Sequence, residues 1–404
     1  MSDQTPGNVA FDPRSPRLRE DPVAFWEGLR AKGALYPNGN GTWVATSYRA
    51  CSELLRDSQN VAKATAQRLA NMPRGRFYDY NVNTMAFMDG PEHRKVRGAV
   101  FPAFGPGNIR RMTETVEALC GEFMADLKGR PGFDFMRDFA TPFPLYVICD
   151  ILGIPRDHRE TFGEGAHAVV AGLEPMAPPE LIARADAACD ALGAIVTRYA
   201  RERPADPDGD LISFLKAQHE AGLIDWDQYV NHMIFLLVAG HETTSTMLSQ
   251  GMNYLLRHPE QAAALRADPS RAMTAVNEIL RLHPPLQFVL RQTLAPVTVE
   301  GVELPAGQLI FVLVGAANRD PEMFPDPDTL DLARTNAASH LAFIAGPHTC
   351  LGSNLARLEG RMVFERILRE MPDLMLDGPP APNQNFLFQG FSAMPVRQSA
   401  PHPV

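Results

Sequence analysis

The chain has 404 residues, of which 45% are hydrophobic and 21% charged, and this composition excludes a disordered or fibrous protein. Its 38 basic and 47 acidic side chains leave a net charge of −9, which argues against nucleic-acid binding, a function that usually needs a basic surface. No stretch approaches the ~20 apolar residues of a membrane span, and the first eight residues lack the basic start and apolar core of a signal peptide. We therefore expect a soluble, cytoplasmic protein that binds neither nucleic acid nor membrane.

Proline accounts for 35 of the 404 residues, above the usual ~5%, which predicts short helices joined by stiff, bent connections. No segment repeats with a period of about 20–50 residues, so we expect one domain spanning residues 1–404 rather than an array. The five cysteines are scattered without a CxxC pair, which indicates neither a disulfide framework nor a structural zinc site. They are Cys51, Cys120, Cys149, Cys189 and Cys350.

Helical periodicity dominates the chain, interrupted early by one short predicted strand at residues 41–46. The predicted helices are 22–30, 47–56, 92–101, 108–127, 143–152, 180–203, 211–220, 225–257 and 353–370. The segment 225–257 would span about 50 Å and should run through the middle of the molecule. Residues 296–303, 309–314 and 386–391 are β-type. The pattern predicts a mostly α protein with small β-sheets, of the α+β class.

Cys350 lies in the stretch Phe343-Ile-Ala-Gly-Pro-His-Thr-Cys-Leu-Gly352, directly before the predicted helix 353–370. The amide groups of a helix N-terminus and the nearby His348 favour a thiolate, so the sequence predicts a lowered pKa for Cys350. A thiolate can act as a nucleophile or a metal ligand. A lone cysteine is also commonly a small buried apolar residue, and its position alone does not decide between these roles.

The whole stretch resembles the haem-binding signature of the cytochromes P450. The positions that carry the resemblance are Phe343, Gly346, His348, Cys350 and Gly352. The resemblance implies that Cys350 is the axial ligand of the iron of haem b, that the phenylalanine packs beside the sulfur, and that the glycines let backbone amides approach it. One position departs from the pattern, because Ile344 stands where the family often has glycine.

A second motif is Glu278-Ile-Leu-Arg281, whose charged residues are neighbours on one helix face. Taken alone, such a pair is commonly an exposed ion pair of little energetic weight. Its distance before Cys350 and the later Arg334 match the arrangement of the cytochromes P450. The resemblance implies that Glu278, Arg281 and Arg334 form a structural triad that supports the haem loop.

A polar cluster, Ala239-Gly-His-Glu-Thr-Thr244, interrupts the apolar face of the longest predicted helix. One interpretation is a threonine that bonds back to the carbonyl one turn earlier. The resemblance to the cytochromes P450 implies instead that this segment lies over the haem. Glu242 and Thr243 would then be the catalytic pair that delivers protons during dioxygen activation, while Ala239 and Gly240 would leave room for dioxygen.

The two propionates of haem require cationic or hydrogen-bonding partners. His93 and Arg97 share one face of the helix that Asp89-Gly-Pro91 opens, where a surface charge pair is the simpler interpretation. The resemblance implies that four residues contact the propionates. They are His93, Arg97, Arg291 and His348.

These motifs together imply a haem-thiolate monooxygenase that inserts one oxygen atom from O2 into a small apolar organic substrate, as in hydroxylation. The chain has neither a dinucleotide-binding fingerprint nor the cysteine spacing of an iron–sulfur cluster. Electrons should therefore come from a separate ferredoxin and its NAD(P)H-dependent reductase. A peroxide-driven or rearranging P450 is an alternative that the Glu242–Thr243 pair disfavours, and a haem-based sensor would need an effector module.

The resemblance also indicates a docking surface and a substrate pocket. Arginines around the ligand loop predict a positive face for an acidic donor, unless they are solvated or paired. They are Arg334, Arg357, Arg361, Arg366 and Arg369. The expected pocket walls are residues 64–88, 165–180, 286–290 and 386–388, and three cations among them either hold a substrate carboxylate or face water. They are Arg68, Arg74 and Arg76.

Overall fold

The computed structural model of the chain describes residues 10–70, 72–174 and 176–398. The N-terminal residues used to argue against a signal peptide lie outside this range. None of the described helices has the length and hydropathy needed to span a bilayer. The helices are α1 (Arg17–Glu20), α2 (Pro22–Arg30), α3 (Tyr48–Arg56), α4 (Thr65–Leu69), α5 (Arg76–Asn83), α6 (Gly90–Val100), α7 (Pro106–Leu127), α8 (Pro142–Leu152), α9 (Arg159–Leu173), α10 (Pro179–Glu202), α11 (Leu211–Glu220), α12 (Trp226–Arg257), α13 (Pro259–Ala267), α14 (Ala272–Leu282), α15 (Val314–Ala317) and α16 (Ser353–Glu370).

The predicted helices are confirmed to within a few residues, and the expectation of short helices holds for most of the described helices but fails for the three longest. Helices α7, α10 and α12 contain 22, 24 and 32 residues. The physical reason is the position of the prolines, which stand in the first turn of α2, α6, α7, α8, α10 and α13. There the missing N–H has no intrahelical partner to lose, so proline begins helices instead of interrupting them.

The strands are short and lie at the periphery of the helical body. They are β1 (Leu35–Pro37), β2 (Thr42–Ala45), β3 (Val61–Lys63), β4 (Gly132–Asp134), β5 (Val289–Thr293), β6 (Val297–Val299), β7 (Val302–Leu304), β8 (Leu309–Val312), β9 (Met375–Leu376), β10 (Ala381–Pro382), β11 (Phe391–Ala393) and β12 (Pro395–Arg397). The largest sheet has the order β1-β2-β8-β5-β3, in which only β2 and β8 are parallel. The expected α+β class is confirmed.

Two β predictions need correction. Residues 296–303 form most of the hairpin β6–β7, which reverses at Glu300 and Gly301, both with positive φ. Residues 386–391 are mostly not a strand, and only the last of them belongs to β11. The amides of Phe386 and Leu387 donate instead to the carboxylate of Glu174, at 3.0 and 3.2 Å. A side-chain acceptor thus replaces the sheet partner that the pattern predicted.

Helix α12 runs through the middle of the molecule, as its length predicted. A capping box starts it, because the Asp225 carboxylate accepts from the Gln228 amide at 2.7 Å and the Gln228 side chain accepts from the Asp225 amide at 3.1 Å. The helix packs against α5, α8, α9, α10, α14 and α16. Its 32 residues span about 48 Å. Its polar segment, residues 239–244, lies beside both α8 and α9.

The predicted triad of Glu278, Arg281 and Arg334 is confirmed and is buried. Arg281 donates to both carboxylate oxygens of Glu278 at 2.7 and 2.8 Å, and Arg334 Nε donates to Glu278 Oε1 at 3.0 Å. The remaining guanidinium groups bind carbonyls of the connection that precedes the cysteine loop, such as Pro327 O at 2.6 Å. Removing one partner would leave a buried charge unpaired, at a cost of about 3–5 kcal/mol.

Candidate functional site

The loop before α16 turns sharply and brings Cys350 back to Phe343. The Cys350 amide donates to the Phe343 carbonyl at 2.8 Å. Gly346 adopts φ +72°, and a Cβ at this position would lie 2.5 Å from Leu55 O and 2.9 Å from Arg56 Cα. Only glycine fits both this backbone conformation and this close approach to α3.

Ile344 adopts φ +59°, in the left-handed region where glycine is ordinarily found. Its amide donates to Leu341 O at 2.8 Å, and its side chain packs against the apolar cluster around the large sheet. The loop therefore takes the glycine-type conformation although isoleucine replaces the glycine of the family pattern. The surrounding contacts hold a β-branched residue where it is strained.

Cys350 is the one exposed cysteine of the five, since the other four are buried. The prediction of a lowered pKa is wrong for the protein alone. Although solvent reaches Cys350, the protein packed around the thiol still desolvates it, and this desolvation raises the pKa of Cys350 despite the Gly352 amide that donates to the sulfur and the nearby Arg97 and Arg357. The hydrogen-bond donor and the cations expected around a thiolate ligand are present. Without further positive charge, they do not outweigh the effect of desolvation on the thiol pKa.

Beside this loop, five side chains that donate hydrogen bonds or carry positive charge form a cluster with the carboxylate of Asp89. The rings of His93 and His348 lie 4.2 Å apart, and His348 Nε2 is 3.0 Å from Asp89 Oδ1. Among the described residues, the buried His93 Nε2 has no hydrogen-bond partner, and burial lowers the pKa of His93 to about 4. His348 Nε2 already donates its hydrogen to Asp89, whereas His93 Nε2, as its N–H tautomer, can donate to an anion.

Arginine and lysine complete this cluster. Arg291 and Lys63 stand directly opposite each other on β5 and β3, an arrangement of like charges that is unfavourable without an anion. Burial, with Arg291 beside it, lowers the pKa of Lys63 to about 7. Arg97 donates to Thr349 O at 2.7 Å and so links α6 to the cysteine loop. The cluster fits an anionic group with two carboxylates.

All four residues predicted to contact propionates therefore lie close to one another, and Lys63 is a cation beside them that the sequence analysis missed. No local motif marks Lys63. Its role becomes visible only through the register of β3 against β5, which places it opposite Arg291.

The polar segment of α12 contains both arrangements that the sequence left open. Thr243 Oγ1 donates to Ala239 O at 2.7 Å, which is the back-bonded threonine. Its lone pairs stay available to accept a hydrogen bond. The side of Gly240 where a Cβ would stand faces Ile148 of α8, at 3.3 Å, so the small residue serves helix packing. A role for Ala239 and Gly240 in admitting dioxygen stays a prediction.

Glu242 is buried on α12, and the sequence analysis missed its two partners. His167 Nδ1 on α9 contacts Glu242 Oε1, and His241 Nδ1 lies 3.9 Å from the same oxygen. Burial is the largest single effect and tends to raise the pKa of Glu242, but His167 and His241 together outweigh it and the pKa is lowered. The contact with Glu242 raises the pKa of His167. Since the His167 side chain is 54% exposed, it connects a buried carboxylate to solvent.

The predicted positive face of arginines is wrong in most of its members. Arg334 is buried against Glu278, and Arg357 lies 4.4 Å from the centre of the Phe343 ring. The other three lie beside carboxylates of their own helix, which cancels much of their charge. These pairs are Arg361–Glu365, Arg366–Glu370 and Arg369–Glu370.

Known proteins share both the sequence and this architecture. The family model described as "Cytochrome P450" matches residues 178–372. The chain is 32% identical over 391 residues to the cytochrome P450 monooxygenase PikC of Streptomyces venezuelae, covering 93% of this chain and 91% of that protein. It is 31% identical over 409 residues to the vitamin D(3) 25-hydroxylase of Pseudonocardia autotrophica, covering 98% of each. The chain belongs to the cytochrome P450 family.

The crystal structure of CalO2 is similar to this cytochrome P450 with a TM-score of 0.91 and 27% identity, covering 96% of this chain and 99% of that one. The protein is an oxygen-incorporating oxidoreductase, and its cofactor is haem b. The residues described above fit this cofactor. Cys350 is exposed and stands beside a cluster of cations and hydrogen-bond donors, in which a buried histidine nitrogen has no hydrogen-bond partner among the described residues.

Proposed function

We propose that this cytochrome P450 inserts one oxygen atom from dioxygen into a small apolar organic substrate, with electrons from a separate ferredoxin and its NAD(P)H-dependent reductase, and that the whole chain forms one haem domain. The observation that carries the proposal is the path from solvent through His167 to the buried Glu242, beside Thr243. Reaction with dioxygen consumes protons, whereas a peroxide-driven or rearranging enzyme needs no such supply.

Each part of the chain has a defined task in this proposal. Haem b supplies the activation of dioxygen and the transfer of one oxygen atom. The Cys350 sulfur would ligate its iron, supported by the Gly352 amide. The propionates would bind the cluster of donors and cations, where they would neutralise the like charges of Arg291 and Lys63, which face each other.

The proton path uses the contacts of α9 and α12. His167 takes a proton from solvent and holds it at Nδ1, in contact with Glu242 Oε1. Glu242 accepts this proton and would pass it on to the reacting group. Thr243 donates its own hydrogen to Ala239 O, so its oxygen is available only as an acceptor, and it would orient the group that receives the proton.

The polar groups near the expected pocket favour an apolar substrate. Arg68 donates to Asn81 Oδ1 at 2.9 Å and to Leu173 O at 3.2 Å, so its guanidinium is already engaged. The other two cations also have partners within the protein. Arg74 stacks on Tyr78, and Arg76 lies near Asp79 and Asp190. One relative is named for the hydroxylation of vitamin D(3).

The pocket walls predicted from the sequence are partly brought together. The carboxylate of Glu174 binds the amides of Phe386 and Leu387, and Leu286 forms a β-bridge with Phe388. The connection after α9, the segment after α14 and the C-terminal loop therefore meet. Their apolar side chains supply surface for a substrate without charge.

The proposal is tested by titrating apolar and carboxylated compounds of equal size against the Soret absorbance of the ferric protein. Apolar compounds should shift the band and then be oxidised with dioxygen, NAD(P)H, reductase and ferredoxin. Preferential binding of carboxylates would contradict the substrate class. Product formation with hydrogen peroxide at a higher rate than with the reduced ferredoxin would contradict the use of dioxygen.

The iron ligand is tested by Cys350→Ser. The reduced, carbon-monoxide-treated wild type should show the long-wavelength Soret band of thiolate ligation, and the variant should lack it because serine has no sulfur to donate. The buried Cys149→Ser variant is the matched control and should keep the band. A band that persists in Cys350→Ser would show that another residue is the ligand.

A further inference from the structure

Three side chains with metal-ligating atoms converge where α9 crosses α12. They are His167, His241 and Glu242, here called the His–His–Glu cluster, and their ligand atoms all lie within 4.8 Å of one another. His167 is more than half exposed, while His241 and Glu242 are buried. The cluster therefore has a buried base and an opening to solvent.

The hydrogen bonds of His241 determine its tautomer. Its Nε2 lies 3.0 Å from the carbonyl oxygen of Thr141, and since a carbonyl only accepts, Nε2 carries the hydrogen. Nδ1 then carries a lone pair, and this buried nitrogen has no hydrogen-bond partner among residues 10–70, 72–174 and 176–398. A histidine whose other nitrogen donates to a backbone carbonyl is the usual arrangement of an imidazole that binds a metal.

The lone pair of His241 Nδ1 faces the carboxylate of Glu242. The two atoms are 3.9 Å apart, and two buried acceptors at this distance need a positive partner. A proton on His167 neutralises Glu242 but leaves His241 Nδ1 without a partner. A cation held by all three side chains would satisfy every one of these atoms.

We propose that the His–His–Glu cluster is a binding site for a divalent transition metal of the zinc type. Two imidazoles and one carboxylate are a common zinc ligand set, and they leave a fourth coordination position open. Zinc–ligand bonds of about 2.0–2.2 Å place tetrahedral ligands roughly 3.4 Å apart, so the cluster must contract slightly. His167 makes this movement possible because its exposed side chain can turn without disturbing the core.

Metal binding to these ligands should also affect turnover, an inference that rests on the proposed function. A metal ion bound to Glu242 and His167 occupies both groups of the proton path, so it should inhibit product formation. The site would then act as a reversible metal-dependent brake on oxygen activation, located away from Cys350.

The site itself is tested without any activity measurement. Zinc chloride is titrated calorimetrically into tag-free holoprotein at neutral pH in a buffer that does not bind metals. The wild type should bind one zinc ion per chain at a site that His167→Gln weakens by about 100-fold, as expected for the loss of a ligand. His158→Gln removes a histidine just before α9, away from the cluster, and should bind zinc as the wild type does.

Absence of saturable binding, or equal affinity in wild type and His167→Gln, would overturn the metal site. Turnover is then measured with zinc and again after the addition of a chelator. Reversible loss of product in the wild type, at zinc concentrations that do not lower the already reduced turnover of His167→Gln any further, supports both proposals. Specific binding without any effect on turnover would confirm the metal site and overturn the proton path, so the two failures are distinguishable.

Discussion

Thr243 combines a structural bond with a proposed catalytic task. Its hydroxyl donates to Ala239 O, and the lone pairs of its oxygen stay available to accept a hydrogen bond. We expect Thr243→Ala to keep haem and substrate binding but to divert electrons to hydrogen peroxide, because no acceptor orients the proton donor. Product formed per NAD(P)H consumed should fall by about tenfold or more.

The matched control for this variant is Ser249→Ala on the same helix. Ser249 Oγ donates to Ser245 O at 2.9 Å, so its loss removes the same kind of back-bond at a fully buried position. The control should keep the wild-type ratio of product to NAD(P)H. An equal fall in both variants would mean that the helix bond, and not the free oxygen of Thr243, determines coupling.

Glu359 is a buried acid that no part of the proposed reaction uses. Burial raises the pKa of Glu359 well above its ordinary value, and one of its carboxylate oxygens has no hydrogen-bond partner in the part of the chain that the structure describes. The folded protein therefore keeps this proton at a pH where the unfolded chain, with a pKa of about 4.3, has released it. Since the folded state binds more protons, Glu359 makes stability fall as the pH rises.

We therefore expect Glu359→Gln to raise the free energy of unfolding by at least about 1 kcal/mol at neutral pH, since one pKa unit corresponds to about 1.4 kcal/mol. The gain should be larger near about pH 8 than near about pH 5, because the free-energy cost of keeping the proton in the folded state grows as the pH rises above the unfolded pKa. Thermal unfolding at the two pH values measures it. The exposed Glu114→Gln is the control, and a gain that does not depend on pH would contradict a protonated Glu359.

The sequence predicted which residues belong to the site better than it predicted their partners and their environment. Cys350 and the Glu242–Thr243 pair are visible in local motifs, because each motif is contiguous. His167 and Lys63 are not, since each acquires its role from a partner on another element, Glu242 and Arg291. The raised pKa of Cys350 has the same origin, because desolvation depends on all the protein packed around the thiol.

At the scale of elements, helices were predicted well because their apolar periodicity extends over many residues. The 32 residues of α12 repeat the pattern through about nine turns, and Asp225 marks the start. Short segments carry less information. Residues 386–391 have strand-type composition, but Glu174, more than 200 positions earlier, binds their amides.

The cysteine loop is an element whose shape depends on one glycine. We expect Gly346→Ala to destabilise the holoprotein by about 2 kcal/mol or more, because it adds both left-handed strain and a clash with the backbone of α3. The thermal unfolding midpoint and the haem bound per chain should both fall. Gly28→Ala on α2, where a Cβ meets no atom within 4 Å, should leave both unchanged, and equal behaviour of the two variants would contradict this explanation.

For the whole molecule, the net charge of −9 says little about where an acidic electron donor would bind. Charges on α16 are largely cancelled by their neighbours, as for Arg361 beside Glu365 at 3.3 Å. Helix α6 differs. It adjoins the cysteine loop through the bond from Arg97 to Thr349, and it exposes Arg94 and Lys95, for which the described residues provide no ion pair.

The proposed ferredoxin should therefore be attracted to the exposed cations of α6 rather than to those of α16. We expect Lys95→Glu to slow the first electron transfer by about tenfold at low ionic strength and to weaken its dependence on salt, because long-range attraction raises the association rate and salt screens it. Arg361→Glu, which replaces a cation already beside a carboxylate, should have a smaller effect. Stopped-flow reduction of the carbon-monoxide-bound form across a salt series measures both variants. If Arg361→Glu slows the reaction more than Lys95→Glu does, the donor binds over α16, and if neither variant nor salt changes the rate, electrostatic attraction does not guide docking to this side of the protein.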